Sequence, residues 1–181
     1  MQTPLIILQE LNELIKRVDK TQYDDLVDLL KQDRRFFFFG EGRSGLMAKA
    51  AAMRLMHCGK TVYVIGETTT PSMGQEDILL IISGSGSSIQ LDGLCKIAHE
   101  LGAEVAMLTA DASKLQEHRC KYGFAIPAAT KKRREWEPAT IQPLGNQFDQ
   151  AAHLLLDAAI IDGPYSEDSM GSLTKRHTNL E

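Results

Sequence analysis

Cysteine is scarce in this chain: Cys58, Cys95 and Cys120 are odd in number, scattered, and without a CxxC pair. That excludes a disulfide framework and reads as reduced thiols in a cytoplasmic protein, each a small core residue and not a nucleophile. Long apolar runs are lacking too. None reaches the roughly 18 residues a membrane span needs, and the N-terminus has no basic stretch leading into an apolar one, so a soluble, intracellular protein is expected. Positive charge is not in excess, the formal net charge being −4, which argues against a general nucleic-acid binder. An anionic ligand would therefore be held by local donors. Nothing points to disorder either, because 43% of the 181 residues are hydrophobic, close to the globular norm and enough for one domain with a sizeable core.

What the chain does have is Ser83-Gly84-Ser85-Gly86-Ser87-Ser88. This stretch follows the apolar run Ile78-Leu79-Leu80-Ile81-Ile82 and opens a pattern in which Leu91, Leu94, Cys95 and Ala98 recur at helical spacing. A short, continuous apolar run suits a strand buried on both faces of a parallel sheet. The serines thus sit where a strand becomes a helix, where unpaired N–H groups and the helix dipole favour an anion and hydroxyls add donors. The expected ligand is a small molecule carrying a phosphate.

The rest of the chain repeats this alternation. Apolar residues from Leu5 to Val18 trace one helix face, and Thr21 with Asp24 resembles a capping box opening a second helix. Neither helix is basic, so packing or subunit contact is favoured over DNA binding. Phe36-Phe37-Phe38-Phe39 is the first strand and runs into Gly40-Glu41-Gly42-Arg43-Ser44-Gly45, followed by a helix over 48–56. Those glycines partly mimic the dinucleotide motif GxGxxG, a weak signal when alone. Further strands are expected at 62–65, 78–82, 104–109 and 122–126. Lys131-Lys132-Arg133-Arg134 reads as a solvated loop, with steering of an anionic substrate as the alternative. A last helix surrounds Asn146 with Phe148, Ala151, Ala152, Leu155 and Ala159 on its apolar side, and Gly163-Pro164 breaks it. The weakly apolar end, 165–181, is either frayed or held by a neighbouring subunit. Five alternations of strand and helix predict an α/β fold with a five-stranded parallel sheet flanked by helices. The expected layout is helices over 1–33, the sheet core over 34–130, and the basic loop with a helical segment over 131–181.

Several segments together resemble the 6-phospho-3-hexuloisomerase family of the sugar isomerase (SIS) domain superfamily, over essentially the whole chain. They are Gly42-Arg43-Ser44-Gly45 with Met53-Arg54-Leu55-Met56-His57, Gly66-Glu67-Thr68-Thr69-Thr70-Pro71, the serine turn, Gln142-Pro143-Leu144-Gly145 and Arg176-His177-Thr178-Asn179-Leu180-Glu181. The resemblance implies a single SIS-type domain that converts D-arabino-3-hexulose 6-phosphate to fructose 6-phosphate. It also implies a homo-oligomer, typically a tetramer, and a functional partner, 3-hexulose-6-phosphate synthase, which condenses formaldehyde with ribulose 5-phosphate. The chain departs from the family in three places. Asp149 stands where Glu is usual, Glu41 stands where a small residue is more common, and the C-terminal helix pattern is cut short at Gly163-Pro164.

Moving a carbonyl from C3 to C2 means removing the C2 proton, passing through a 2,3-enediol and returning a proton to C3, work for a carboxylate with donors to the two oxygens. The candidate bases are Glu67 and Asp149, the latter favoured by the resemblance, and His57 and His177 are candidates for shuttling a proton between oxygens. Arg43, Ser44, Ser83, Ser85 and Ser88 are the expected substrate and phosphate ligands. No cofactor is implied, and the sequence offers no ligand cluster for a metal. Competing readings are an aldose–ketose isomerase on another phosphosugar, a non-catalytic sugar-phosphate sensor, and, more distantly, a nucleotide-binding α/β protein.

Overall fold

Four consecutive phenylalanines, all buried, make β1 (Phe36–Phe39), an interior strand of the sheet. The structure, a computed structural model, describes residues 1–165 and 170–180. β1 lies between β2 (Val62–Val64) and β3 (Ile78–Ile82), and β4 (Glu104–Thr109) and β5 (Tyr122–Ala125) follow, every pairing parallel. The order is β2-β1-β3-β4-β5. The chain therefore first grows the sheet one way from β1, then crosses back to grow it the other way. In open parallel sheets such a switch leaves a crevice at the carboxyl ends of the two strands involved, here β1 and β3.

Alternation along the strands divides the core in two. Phe36, Phe38, Ile78, Leu80 and Ile82 face α1 (Gln2–Ile15), α2 (Lys20–Lys31), α3 (Gly42–His57) and α6 (Asn146–Asp162). Phe37, Phe39, Leu79, Ile81, Val105 and Met107 face α4 (Ile89–Glu100), whose Leu91, Cys95 and Ala98 fill that side. Burial pushes the Cys95 thiol up to about 12 and the Cys120 thiol to about 11, so neither ionises near neutral pH. Among the described residues no helix is long and apolar enough to cross a membrane.

The turn after β1 is closed by two glycines packed backbone to backbone. A Cβ on Gly45 would lie 2.6 Å from the Gly40 carbonyl oxygen, and neither group can yield as a side chain would. Gly45→Ala is expected to cost about 1–3 kcal/mol, the usual penalty of overpacking, seen as a fall in the thermal midpoint relative to wild type. An unchanged midpoint would mean that the turn relaxes freely.

The structure corrects several local expectations. α1 stops at Ile15, where the amides of Arg17 and Val18 turn back to the Leu14 and Ile15 carbonyls, instead of running to Val18. α2 is capped by Asp19, whose carboxylate accepts from the Gln22 amide at 3.0 Å, and not by Thr21 with Asp24; Asp24 instead meets Lys20 at 2.5 Å. An aspartate at the cap satisfies that orphan amide as well as a threonine can. α3 begins at Gly42, within the glycine turn, and β2 and β5 each end one residue early. A five-residue helix, α5 (Ser113–Glu117), has no sequence counterpart in the expected pattern. Over α7 (Met170–Arg176) the chain end packs on its own chain: Leu173 is buried, and Arg176 donates to the His57 carbonyl at 3.0 Å. Residues 166–169 of that segment, and Glu181 of the terminal motif, lie outside the described residues.

Candidate active site

The crevice at the β1/β3 switch is a cleft of about 600 Å³, lined by the turn after β1, the serine loop after β3, the segment from Thr130 to Gly145, and the first turn of α6. That volume suits a small polar ligand held on several sides. Arg43, Ser44, Ser83, Ser85, Ser88 and Asp149 all border it.

The serine loop is built by its own hydroxyls. Ser83 Oγ accepts from the Gly86 amide at 3.2 Å, Ser88 Oγ caps α4 by accepting from the Leu91 amide at 3.1 Å, and Ser85 Oγ donates to the Ser87 carbonyl at 3.1 Å. The amides of Ser85, Ser87 and Ser88 have no hydrogen-bond partner among the described residues. Free N–H groups in a turn that opens a twelve-residue helix form a concavity for an anion. Gly84 lets the Phe148 ring lie close against the loop, 3.2 Å from where a Cβ would sit.

Asp149 is the one buried acid of the cleft, 5% exposed in the first turn of α6. Desolvation pushes its carboxyl above the ordinary aspartate range. The Ser44 hydroxyl, which donates to Oδ1 at 2.7 Å, and the Arg43 guanidinium, with Nε 3.7 Å from Oδ2, act in the opposite direction. Ser44 thus binds the acid directly. Arg43 is more than half exposed and open towards solvent and ligand.

Glu10, on α1, organises the far wall. Its carboxylate accepts from Thr140 Oγ1 at 2.5 Å, the Ile141 amide at 2.9 Å and Gln142 Nε2 at 3.0 Å, and Asn146 Nδ2 donates to Gln142 Oε1 at 2.8 Å. Pro143, Leu144 and Gly145 are thereby held at the cleft. Burial raises the Glu10 pKa, but these hydrogen bonds and the charge of Arg133 outweigh it and leave the carboxyl below its usual value. A depressed acid contributes stability above its unfolded pKa, near 4.3, and loses it as pH falls through the folded value. Glu10→Ala is expected to lower stability by about 1–2 kcal/mol at pH 7, with the difference in thermal midpoint starting to shrink below about pH 4 and lost only below the folded value. A difference that persists at low pH would place the effect in packing and not in charge.

The other candidates stand apart from the cleft of their own chain. Glu67 follows the edge strand β2 and pairs with Lys49 at 2.7 Å, both half exposed. His57 is buried at the C-terminal end of α3, thirteen residues and roughly 20 Å along the helix from Ser44. It stacks on His177 with ring centroids 5.1 Å apart, and burial, Arg54 and His177 all lower its pKa.

The basic run is divided in its roles. Arg134 pairs with Asp111 at 2.5 Å, Arg133 donates to the Thr130 and Gln142 carbonyls, and Lys132 is exposed, whereas exposed Lys131 borders the cleft. Lys131, Thr130, Ser87 and Asn146 are cleft residues outside the expected ligand set. Ser87 had a signal in its place within the serine turn, and Lys131 in the basic run whose alternative role was steering an anion. Among the described residues no group of three His, Cys, Asp or Glu is arranged to hold a metal ion.

A parallel 2-1-3-4-5 sheet with an open-amide loop and a buried carboxylate at its switch point defines an α/β protein that binds a small anionic ligand. Residues 29–141 match the SIS domain model. The chain is 35% identical to a 3-hexulose-6-phosphate isomerase of Bacillus subtilis (strain 168), over 97% of this chain and 95% of that protein. A 3-hexulose-6-phosphate isomerase of Mycobacterium gastri is 33% identical over 97% and 88%. The crystal structure of a hypothetical protein from Methanococcus jannaschii, for which a molecular function of 3-hexulose-6-phosphate isomerase was inferred, superposes with a TM-score of 0.82 at 28% identity, over 100% of both chains. The chain belongs to the SIS domain family and, within it, to the sugar-phosphate isomerases that group with these relatives.

Proposed function

We propose that the chain interconverts D-arabino-3-hexulose 6-phosphate and fructose 6-phosphate through a 2,3-enediol. The observation that carries this reading is Asp149, a desolvated carboxylate held by Ser44 in the same cleft as the serine loop. A carboxyl raised above its ordinary value is a stronger base than a solvated one, yet remains ionised near neutral pH when the shift is moderate. The free amides of the serine loop take the phosphate, with Ser83, Ser85 and Ser88 around it. Asp149 removes the proton from C2 and returns it to C3. Arg43 and Lys131 bring positive charge to the phosphate and to the developing enediolate. With its phosphate on O6, a C3 ketone cannot close a five-membered ring, so the substrate enters open-chain and needs no ring-opening step.

On this reading Glu67, His57 and His177 take no part in the chemistry of their own chain's cleft. A proton-transfer role for any of them requires the cleft of a second copy, within a homotetramer. On this reading the substrate is supplied by 3-hexulose-6-phosphate synthase, from formaldehyde and ribulose 5-phosphate in the ribulose monophosphate pathway, in the cytoplasm; the names of the relatives support the substrate itself.

The test is incubation with fructose 6-phosphate in D₂O, following the proton NMR signals of C1 and C3. Loss of the C3 proton supports the 2,3-enediol. Exchange at C1 alone identifies aldose–ketose chemistry instead, and binding without exchange at either carbon identifies a sensor.

A further inference from the structure

We propose that His118 is a positioning residue for the anion loop, acting through the peptide between Gly86 and Ser87. The inference rests on the reading of the serine loop as the phosphate holder. His118 is buried just after α5, outside the cleft lining, and its Nε2 lies 2.9 Å from the Gly86 carbonyl oxygen. That oxygen only accepts, so Nε2 carries the proton and donates. The Asp92 carboxylate stands 3.7 Å from the same nitrogen and favours the same tautomer, and the His118 carbonyl is bonded to His99 Nε2 at 2.9 Å.

A trans peptide is planar, and its C=O and N–H point in opposite directions. With the Gly86 carbonyl tied down to His118, the Ser87 amide points away from the imidazole, to the side where Ser87 borders the cleft. The peptide between Gly84 and Ser85 is fixed in the same way. The Gly84 carbonyl accepts from the Ala110 amide at 3.2 Å, at the end of β4, which turns the Ser85 amide the other way. Among the described residues both amides lack a hydrogen-bond partner. Two carbonyls anchored beneath the loop thus present two donors above it. Gly86 completes the device: its φ of +60° suits glycine, and a Cβ there would come within 2.7 Å of Lys114 Cβ on α5. The loop therefore rests directly on α5, the element that delivers His118.

The probe is inorganic phosphate, titrated into ¹⁵N-labelled full-length protein, with amide shifts of Ser85 and Ser87 as readout. Both are expected to move downfield on binding in wild type. In His118→Ala the Ser87 shift is expected to be lost, with phosphate bound roughly tenfold more weakly, the scale of one hydrogen bond to a charged group. KM for fructose 6-phosphate is expected to rise by a similar factor with kcat little changed. His118→Gln, whose amide can donate near the Nε2 position, is expected to restore most of both. Unchanged phosphate affinity in a folded His118→Ala overturns the inference while leaving the proposed reaction standing. If that variant does not fold, the wild-type titration decides, and a Ser85 shift without a Ser87 shift overturns it. Wild type that binds no phosphate at all would remove the anion reading of the loop and this inference together.

Discussion

Asp149→Asn is expected to lower the rate of C3 proton exchange in fructose 6-phosphate by about 10²–10⁴-fold, the usual contribution of a positioned acid–base group. The replacement keeps the shape of the side chain, and its amide oxygen can still accept from the Ser44 hydroxyl that now meets Oδ1 at 2.7 Å. What it removes is the pair of electrons that takes the proton. The same variant is expected to be more stable than wild type at pH 7. Burial raises the Asp149 carboxyl, so its ionised form is disfavoured in the folded state. A group with a raised folded pKa contributes fully below its unfolded value, near 3.9, and loses that contribution as pH rises through the folded value. The gain in thermal midpoint over wild type should therefore be present at neutral pH and shrink as the solution is acidified to about pH 4 or lower. An inactive variant no more stable than wild type would mean that Ser44 and Arg43 already compensate the buried charge. A variant with full exchange activity would remove Asp149 as the base.

Phe148→Ala is expected to destabilise the fold by about 3–5 kcal/mol, as for other buried aromatic truncations. At roughly 2–4 °C per kcal/mol for a chain of this size, the midpoint should fall by on the order of 10 °C. The ring is 1% exposed and joins the core between the sheet and α6, and it is also the surface against which Gly84 of the serine loop lies. Its loss should therefore reach the anion loop as well as the core. Phe148→Leu, which keeps most of the volume, is expected to cost under about 1.5 kcal/mol and to retain phosphate binding. Equal stability losses for the two variants would show that the aromatic shape, and not the filled volume, is what the site requires.

The core of the sheet could be read from the sequence because β1 and β3 are short unbroken apolar runs ending in glycine- and serine-rich turns, a pattern that follows from burial on both faces. The strand order could not. Glu67 and Asp149 looked equivalent as acids at element ends, yet β2 lies on the far side of β1 from β3, so the turn carrying Glu67 opens away from the switch point while α6 delivers Asp149 to it. The bond between Ser44 and Asp149 joins residues 105 positions apart, a separation over which no local pattern carries information. α5 is too short to show helical periodicity, and the cap of α2 was placed two residues late because Asp19 and Thr21 are both good cap residues. His57 had the right residue type for proton transfer but sits at the end of α3 opposite Ser44, a consequence of helix length that only the three-dimensional course of the chain makes plain.

Both carboxylates that shape the cleft come from outside the sheet and its crossover helices: Asp149 from α6 and Glu10 from α1. The anion loop lies wholly within residues 29–141, and these two acids do not. On the proposed reading, grip on a phosphosugar and chemistry upon it are thus heritable separately. A descendant that changed Asp149 alone, leaving Phe148 against the loop, would keep the grip and lose the turnover, becoming a receptor in a single step, and the reverse path, from receptor to catalyst, would be equally short.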